Sequence, residues 1–220
     1  MRVYKFLSKK WAMESLRKRQ LKASRFSEVN DPFEFNCIDL PDPILRATWR
    51  GIFQPMDSST GFVSFSKNWN NPVVWGHYAD NHHGLALGFD IRDDPTRLME
   101  IDYVEELLSL PSATEHQTAA LNALLKKVPK TKFAHWKYED EVRWLDSLGF
   151  FDGPDEKGKY FLPYSDHLKL REVIIGAKSQ ATSCEINEVL EGAEGVTITT
   201  ARIAFRSFSV VTQHARSKQK

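Results

Sequence analysis

Cysteine is scarce in this 220-residue chain, and long apolar runs and a clear excess of either charge are missing from it. Its two cysteines lie far apart without metal-type spacing, which excludes a disulfide framework and predicts reduced thiols. No apolar run approaches the roughly 20 residues of a membrane span, so no membrane partner is expected. Lys9 and Lys10 interrupt any signal-peptide core near the start, and a cytoplasmic location is therefore expected.

Charge is close to balanced at +1, but it is unevenly distributed along the sequence. Nine Lys and Arg residues fall within the first 25 positions, against a single acidic residue, Glu14. Such a segment can attract the phosphates of a nucleic acid. The alternative is an ordinary solvated helix face, with a second basic segment in the tail over 213–220. The cations proposed to form the phosphate-binding face are Lys9, Lys10, Arg17, Lys18 and Arg19.

The hydrophobic pattern predicts strands and helices mixed without a strict alternation. It therefore indicates one α+β domain over 1–212, with mixed, mainly antiparallel sheets and helices around a central cleft. Asn71-Pro72 predicts a helix start. The segment 84–89 alternates small with large residues, as in a strand whose small face admits a close neighbour. That neighbour is either a helix or a ligand.

Several other segments carry predictions that the fold can test. Helices are expected from Asp42-Pro43 to about Arg50, behind a capping box at Ser112 and Glu115, resuming over Thr131–Lys137, and after Thr182 or Ser183. Strands are expected over Met99–Tyr103, Glu139–Leu145, Val196–Thr200 and Arg202–Val211.

The first polar cluster follows the Asn71-Pro72 helix start and contains His77, Tyr78, His82 and His83, with His77 and His82 as the candidate pair of ligands. The two histidines are five residues apart across a predicted helix end, and no cysteine or carboxylate lies beside them, so no metal site is predicted. In one interpretation these residues have a structural role, with Trp75 and Tyr78 as core aromatics and His77 at the helix edge. Alternatively, these rings form the wall of a site for a flat ligand.

The second cluster is Asn30-Asp31-Pro32-Phe33-Glu34. The proline and the preceding Asp predict an Asx-turn, which would account for the segment without any ligand. In the alternative interpretation, Asp31 or Glu34 accepts hydrogen bonds from the ribose or amide of a nucleotide.

The third cluster lies in the predicted strand over 139–145. Strand alternation places Val142 and Trp144 on one face and Glu139, Glu141 and Arg143 on the other. If this face is exposed to solvent, an ion pair between Glu141 and Arg143 would contribute little to stability. If this face lines a cleft, Glu141 would act through its charge, and Arg143 would hold Glu141 in place or bind phosphate.

Several blocks of the sequence together resemble a widespread bacterial family filed as a domain of unknown function, over about residues 3–210. The blocks are Asn30–Glu34, Phe65-Ser66, Trp75–Phe89 (WxHYAxxHxGxxxGF), Trp136–Arg143 (WxYExExR) and Glu172–Gly176.

A second resemblance is to the ADP-ribosyltransferase superfamily. Those enzymes carry a basic residue on an early strand, a hydroxyl or aromatic block in the middle, and a late strand that opens with Glu, often as Glu-x-Glu. Here Lys5 would match the first position. Ser64, Ser66 and Tyr78 are candidates for the second, and Glu139-x-Glu141 for the third.

This second resemblance implies NAD as a substrate, no metal, and two small orthogonal sheets around a cleft. It also implies a toxin or antiphage effector that modifies protein or nucleic acid. Glu141 would stabilise the ribosyl cation and Glu139 would influence acceptor choice. The expected catalytic residues are Glu141, Glu139, Tyr78 and His77, and the expected NAD-binding residues are Lys5, Ser64, Ser66, Trp75, His82, Arg143, Asp31 and Glu34.

Two other function classes remain open from the sequence. One is a non-catalytic sensor that binds a nucleotide or nucleic acid through the basic N-terminal helix. The other is a nuclease or hydrolase that uses His77 and His82 with Asp31 or Glu34. The enzyme interpretation also makes a geometric prediction, that His77, Tyr78 and Glu141 converge on one cleft.

Overall fold

The computed structural model describes residues 1–92, 97–111, 117–191 and 195–213. Its helices are α1 Lys9–Lys18, α2 Pro43–Ser59, α3 Pro72–Tyr78, α4 Gln117–Lys127 and α5 Ser183–Leu190. Its strands are β1 Arg2–Leu7, β2 Gln20–Ala23, β3 Thr60–Ser66, β4 Leu85–Ile91, β5 Leu98–Glu100, β6 Asp102–Val104, β7 Thr131–Phe133, β8 Glu141–Ser147, β9 Tyr160–Pro163, β10 Leu168–Ile175, β11 Thr197–Ile203 and β12 Val210–Thr212. Among these helices, none has the length and apolar character that a membrane crossing requires.

Eight of the strands form one sheet in the order β12-β11-β10-β4-β1-β3-β8-β5. Its neighbours are antiparallel except β10 and β11, which run parallel. Two small sheets, β2-β9 and β6-β7, flank it. The predicted α+β class with a mainly antiparallel mixed sheet is confirmed.

The large sheet is weakly joined at its middle, between β1 and β3. Strand β1 pairs with β4 over six residues, and β3 pairs with β8 over seven. Between β1 and β3 the register contains one pair, Tyr4 with Ser66. The sheet therefore consists of two well-paired halves, and the two strands that meet there part on either side of this pair.

The two faces of the sheet are covered by different helices. On one face, Leu85, Leu87 and Phe89 of β4 pack in an apolar core with Leu16 of α1 and Ile186 of α5. On the other face, α3 supplies a smaller core around its fully buried tryptophan. A third apolar cluster joins α2 and α4 to the end of β3.

The small face of β4 receives a helix, which decides one alternative left open by the sequence. Ala86 packs in the same cluster as Trp75 and Ala79 from the α3 segment. A side chain at Gly84 would place its Cβ 2.1 Å from the carbonyl oxygen of Leu7 and 2.9 Å from that of Ala79. Glycine is required there because the backbone of β1 and the backbone that follows α3 both occupy the space that a side chain would need.

Helix starts match the sequence predictions better than helix ends do. Asn71 caps α3 by accepting the N–H of Val73 at 2.9 Å, and Thr182 forms the predicted capping box with Glu185. The prediction that α2 ends near Arg50 is wrong, because the helix continues through Pro55 to Ser59. The Ser112–Glu115 capping box and residues 214–220 of the basic tail lie outside the described residues.

Three strand or helix predictions are also wrong. The expected strand over Met99–Tyr103 is split between β5 and β6, which belong to different sheets. The expected helix over Thr131–Lys137 is instead β7 followed by a 3₁₀ turn, Ala134–Glu139. The segment Arg202–Val211 contains the end of β11 and the start of β12, joined by a turn.

Candidate functional site

A cleft of about 400 Å³ opens where β1 and β3 part. Strands β1, β3 and β8 form one side, while α3 and the loop after β2 form the other. The polar residues that line it are Tyr4, Lys5, Ser24, Glu28, Asn30, Glu34, Ser64, Ser66, His77, Tyr78, Lys132, Glu139 and Glu141. Its volume lies within the range of small-molecule sites, roughly 300–1,000 Å³.

Lys5 and Ser64 bridge the gap between the two halves of the sheet. The Lys5 ammonium on β1 donates a hydrogen bond to the Ser64 carbonyl on β3 at 3.0 Å. Burial lowers the pKa of Lys5 to about 8, although the nearby carboxylates of Glu141 and Glu139 favour its charged form. A cation that titrates close to neutral pH therefore lies at the edge of the cleft.

Five buried charged residues, which we call the buried charge cluster, lie at the base of the cleft, and four of them line it. Its members are Glu34, Lys132, Glu139, Glu141 and Arg143, all at most 6 % exposed. The Lys132 ammonium lies 2.6 Å from a Glu139 oxygen and 3.2 Å from oxygens of both Glu34 and Glu141. One cation thus joins all three carboxylates.

Arg143 holds Glu141 from behind with two parallel hydrogen bonds. Its Nε lies 2.7 Å from Oε1 of Glu141, and its Nη2 lies 3.1 Å from Oε2. The same Nη2 is 2.6 Å from Glu34 Oε2, and Nη1 donates to the Pro129 carbonyl at 3.1 Å. This fork fixes the orientation of the Glu141 carboxylate.

The three carboxylates are not electrostatically equivalent. Burial by itself would raise the pKa of Glu141, but the charges of Arg143 and Lys132 outweigh it and lower that pKa to about 2. For Glu139, burial prevails over the attraction of Lys132, and its pKa is raised. Of Glu139 and Glu141, it is therefore Glu141 whose charged form the surroundings favour.

Tyr78 forms the opposite wall and contacts the cluster through Glu139. Its hydroxyl donates to Glu139 Oε1 and accepts a hydrogen bond from the Asn30 side chain at 3.3 Å. Burial, followed by the charge of Glu139, raises the pKa of Tyr78, so that it stays a neutral donor. Beside it, His77 Nδ1 lies 2.9 Å from the Tyr138 hydroxyl.

A turn of the backbone at Asp140 lets the carboxylates of Glu139 and Glu141 contact the same cation, Lys132. Glu139 ends a 3₁₀ turn, Asp140 adopts a left-handed conformation with φ 46°, and β8 begins at Glu141. The N–H of Glu141 donates to the Tyr103 hydroxyl at 2.8 Å. The prediction that both glutamates lie in one strand is therefore wrong, although both carboxylates do reach the cleft.

The cleft brings together eight of the residues predicted from the sequence, from all three polar clusters. His77, Tyr78 and Glu141 line the same cavity, as the geometric prediction requires. The others that line it are Lys5, Ser64, Ser66, Glu34 and Glu139.

Four other predicted residues do not line the cleft. Trp75 is fully buried in the core beneath α3, and the His82 ring stacks on it with centroids 6.3 Å apart. Asp31 is buried in the predicted turn, where its Oδ1 accepts the N–H of Phe33. Arg143 lies behind Glu141 and acts as its support.

The histidine-based hydrolase interpretation loses its geometric basis, because His77 lines the cleft and His82 does not. Within the four described ranges, no group of three or more His, Cys, Asp or Glu residues is arranged to hold a metal ion.

The basic residues of the N-terminal segment do not form one face. Lys9 pairs with Glu185 at 3.2 Å, and Lys18 pairs with Glu14 at 2.9 Å. Arg17 and Arg19 line a different groove from Lys10 and Lys18. Phosphate binding by this segment therefore stays a prediction, and four of its five cations are divided between two grooves.

Sequence reasoning missed Lys132, the residue that connects the three carboxylates. The expected helix over 131–137 gave it no reason to be buried. The available signal was the position of Thr131 and Lys132 just before the Trp136–Arg143 block. A strand there would bring the Lys132 ammonium toward Glu139 and Glu141.

Comparisons with family models, curated proteins and solved structures find no match to this chain. The two resemblances remain predictions, and the functional argument depends on the geometry of the cleft.

Proposed function

We propose that the cleft binds NAD as a substrate and cleaves its nicotinamide–ribose bond, passing the ADP-ribosyl group to an acceptor or to water. The observation that carries this proposal is the adjacency of β1, β3 and β8 in the sheet. These strands place Lys5, Ser64 and Glu141 around one cavity. These are positions at which the resemblance to ADP-ribosyltransferases expects a basic residue, a hydroxyl and a glutamate.

The charge of the site suits a reaction that develops positive charge on the substrate. The buried charge cluster contains three carboxylates and two cations. Glu141 is ionised and held rigidly, so its negative charge needs no reorganisation when a ribosyl cation forms beside it. The Ser64 side chain also favours the charged form of Glu141 and lowers its pKa.

The remaining polar groups suit the other parts of a dinucleotide. Lys5 is largely protonated at neutral pH and supplies a cation for the diphosphate. On the opposite wall, Tyr78 and His77 supply aromatic surfaces for the nicotinamide ring. Asn30 adds an amide beside the Tyr78 hydroxyl.

The proposed step is balanced without a metal or a redox partner. The carbon–nitrogen bond breaks with both electrons passing to nicotinamide, which leaves neutral, while the ribose C1′ becomes cationic. An acceptor oxygen or nitrogen then forms a bond to C1′ and loses one proton. When water is the acceptor, NAD and water give ADP-ribose, nicotinamide and one proton.

The test is release of nicotinamide from labelled NAD by the wild type and by Glu141→Gln. Glutamine preserves the shape of the side chain but removes its charge, so we expect turnover to fall on the order of a hundredfold or more. Glu188→Gln, an exposed change on α5, is the matched control and should retain full activity.

Because Glu141 belongs to the buried charge cluster, each variant is first compared with the wild type in thermal unfolding. Ser64→Ala is a second variant, since it removes a support of Glu141 without removing a buried charge. If the folded wild type neither binds nor cleaves millimolar NAD, the enzyme proposal is wrong. Binding without cleavage would favour the nucleotide sensor.

The wider role as a toxin or antiphage effector is part of the same proposal. Cells that express the wild type should lose NAD and growth, and cells that express Glu141→Gln at equal level should lose neither.

A further inference from the structure

A second groove, which we call the lysine groove, adjoins the cleft. It lies between α1, β2 and the loop before β9, and has a volume of about 740 Å³. Lys5 and Ser24 line both the groove and the cleft. A molecule that lies in the groove therefore reaches the mouth of the cleft at Lys5, beside Ser64.

The lysines of the groove differ in how far their charge is already neutralised. Lys18 pairs with Glu14 at 2.9 Å, and Lys22 pairs with Glu28 at 2.7 Å. Four lysines of the groove remain. Lys5 donates to the Ser64 carbonyl, and across the described ranges no ion pair neutralises Lys10, Lys157 or Lys159.

The acidic residues of the loop cancel only part of this charge. Asp155 Oδ1 accepts the backbone N–H groups of Lys157 and Lys159, at 2.9 and 2.8 Å, and so faces its own turn. Glu156 is the other carboxylate in this part of the groove. Six lysines line the groove against three carboxylates, those of Glu14, Asp155 and Glu156. The groove therefore keeps a positive balance of charge that favours a polyanion.

An exposed aromatic ring lies among these lysines. Trp11 is 49 % exposed, which is high for the largest apolar side chain. The Lys10 ammonium lies 4.9 Å from its ring centroid and the Lys159 ammonium 5.8 Å. A ring for stacking beside cations for phosphates is the combination by which proteins bind unpaired nucleotides.

We propose that the lysine groove binds single-stranded nucleic acid, with Lys10, Lys157 and Lys159 on phosphates and a base stacked on Trp11. This proposal names the acceptor class for the proposed function and rests on it: the strand would be the molecule that receives ADP-ribose. A base or sugar beyond Lys5 would enter the cleft, within reach of the ribose C1′.

The experiment measures binding directly and needs no NAD. Fluorescein-labelled oligo(dT) and oligo(U) of about 12 nucleotides are titrated with the wild type in fluorescence anisotropy, from about 50 to about 200 mM salt. The two homopolymers distinguish DNA from RNA as the source of the strand. A duplex of equal length and an oligo-glutamate peptide are the competitors.

Lys157→Ala combined with Lys159→Ala should weaken binding of the strand at least tenfold. The slope of log affinity against log salt should decrease by about 1.4, since each phosphate contact on a single strand contributes roughly 0.7. Trp11→Ala should weaken binding roughly tenfold with the slope unchanged, because stacking does not release counterions.

Arg17→Ala combined with Lys169→Ala is the control, since it removes two exposed cations from a groove on another part of the surface and should leave binding unchanged. The proposal is overturned if the control weakens binding as much, if duplex or oligo-glutamate competes equally, or if no strand binds at low salt. Strand binding without NAD cleavage would refute the proposed enzyme and leave the groove standing. NAD cleavage without strand binding would do the reverse.

Discussion

The two faces of β8 are equally buried, but one is apolar and the other is charged. On one face, Val142 and Trp144 are 0 and 2 % exposed and pack in the apolar core. On the other, Glu141 and Arg143 are 4 and 1 % exposed and belong to the buried charge cluster. The first face contributes to stability by removing apolar surface from water, whereas the second requires the desolvation of charges.

This comparison teaches that burial alone does not explain the charged face. Apolar residues of similar volume can replace a buried ion cluster with little loss, and sometimes with a gain, of stability. Nothing in the packing of β8 requires carboxylates where they line an opening. The cluster therefore supports a chemical role for Glu141 better than a structural one.

The largest expected effect comes from breaking the charged face at its shared cation. Lys132→Met keeps most of the volume but leaves three carboxylates to Arg143 alone. The free energy of unfolding in urea should fall by about 3–5 kcal/mol. Lys130→Met is the matched control, because its ion pair with Asp102 is partly exposed and should matter by no more than about 0.5 kcal/mol. Equal stability of the two variants would contradict this account.

The charged face should also make stability depend on acid. The pKa of Glu141 is lowered to about 2 in the folded protein, from an ordinary 4.5. Its contribution, on the order of 3 kcal/mol, is present above pH 4.5 and is lost as the pH falls towards 2.

Urea unfolding between about pH 6 and about pH 3 tests this dependence. The pKa of Glu139 is raised, so its contribution to stability depends on pH in the opposite direction. The comparison with Glu141→Gln therefore isolates the contribution of Glu141. The wild type should lose stability more steeply than this variant as the pH falls. Parallel curves would show that Glu141 is not held by the cations around it.

Breaking the apolar face should give a smaller loss with a different signature. Val142→Ala removes two buried methyl groups and should lower the free energy of unfolding by about 2 kcal/mol. Its pH profile should run parallel to that of the wild type, because no charge changes. Val73→Ala, at a position that is 44 % exposed on α3, should change stability by less than about 0.5 kcal/mol.

The smallest effect is expected at the wall of the cleft. Tyr78→Phe removes the donor to Glu139 and should cost about 1 kcal/mol of stability. It should also weaken NAD binding a few-fold, as measured by calorimetry. Tyr160→Phe on β9, away from the cleft, should change neither quantity, and a loss there of equal size would count against a specific role for Tyr78.

The sequence predicted those parts of the fold that depend on local chemistry. Asn71 and Thr182 supply side-chain oxygens where a helix begins, and this requires no knowledge of distant contacts. The extent of α2 could not be predicted in this way. Gly51 and Pro55 disfavour helix there, but Trp49, Phe53 and Met56 pack into one apolar cluster and extend the helix.

The candidate site was predictable to the extent that its residues lie in compact blocks of sequence. Tyr78 and Glu141 belong to such blocks. Lys132 does not, and its burial follows from the pairing of β7 with β6, a contact between segments about 30 residues apart. Arg143 was recognised as a charged residue of the block, but its place behind Glu141 follows from the orientation of β8.

The single backbone pairing between β1 and β3, Tyr4 with Ser66, has a consequence for the local opening of the sheet. Local opening follows the weakest set of backbone hydrogen bonds, so we expect the two parts of the sheet to form separate units of amide hydrogen exchange. A ligand held by Lys5 on one half and Glu141 on the other would tie these units together. Its binding energy would then appear as slower exchange in β4 and β8 alike, although these strands are not neighbours in the sheet.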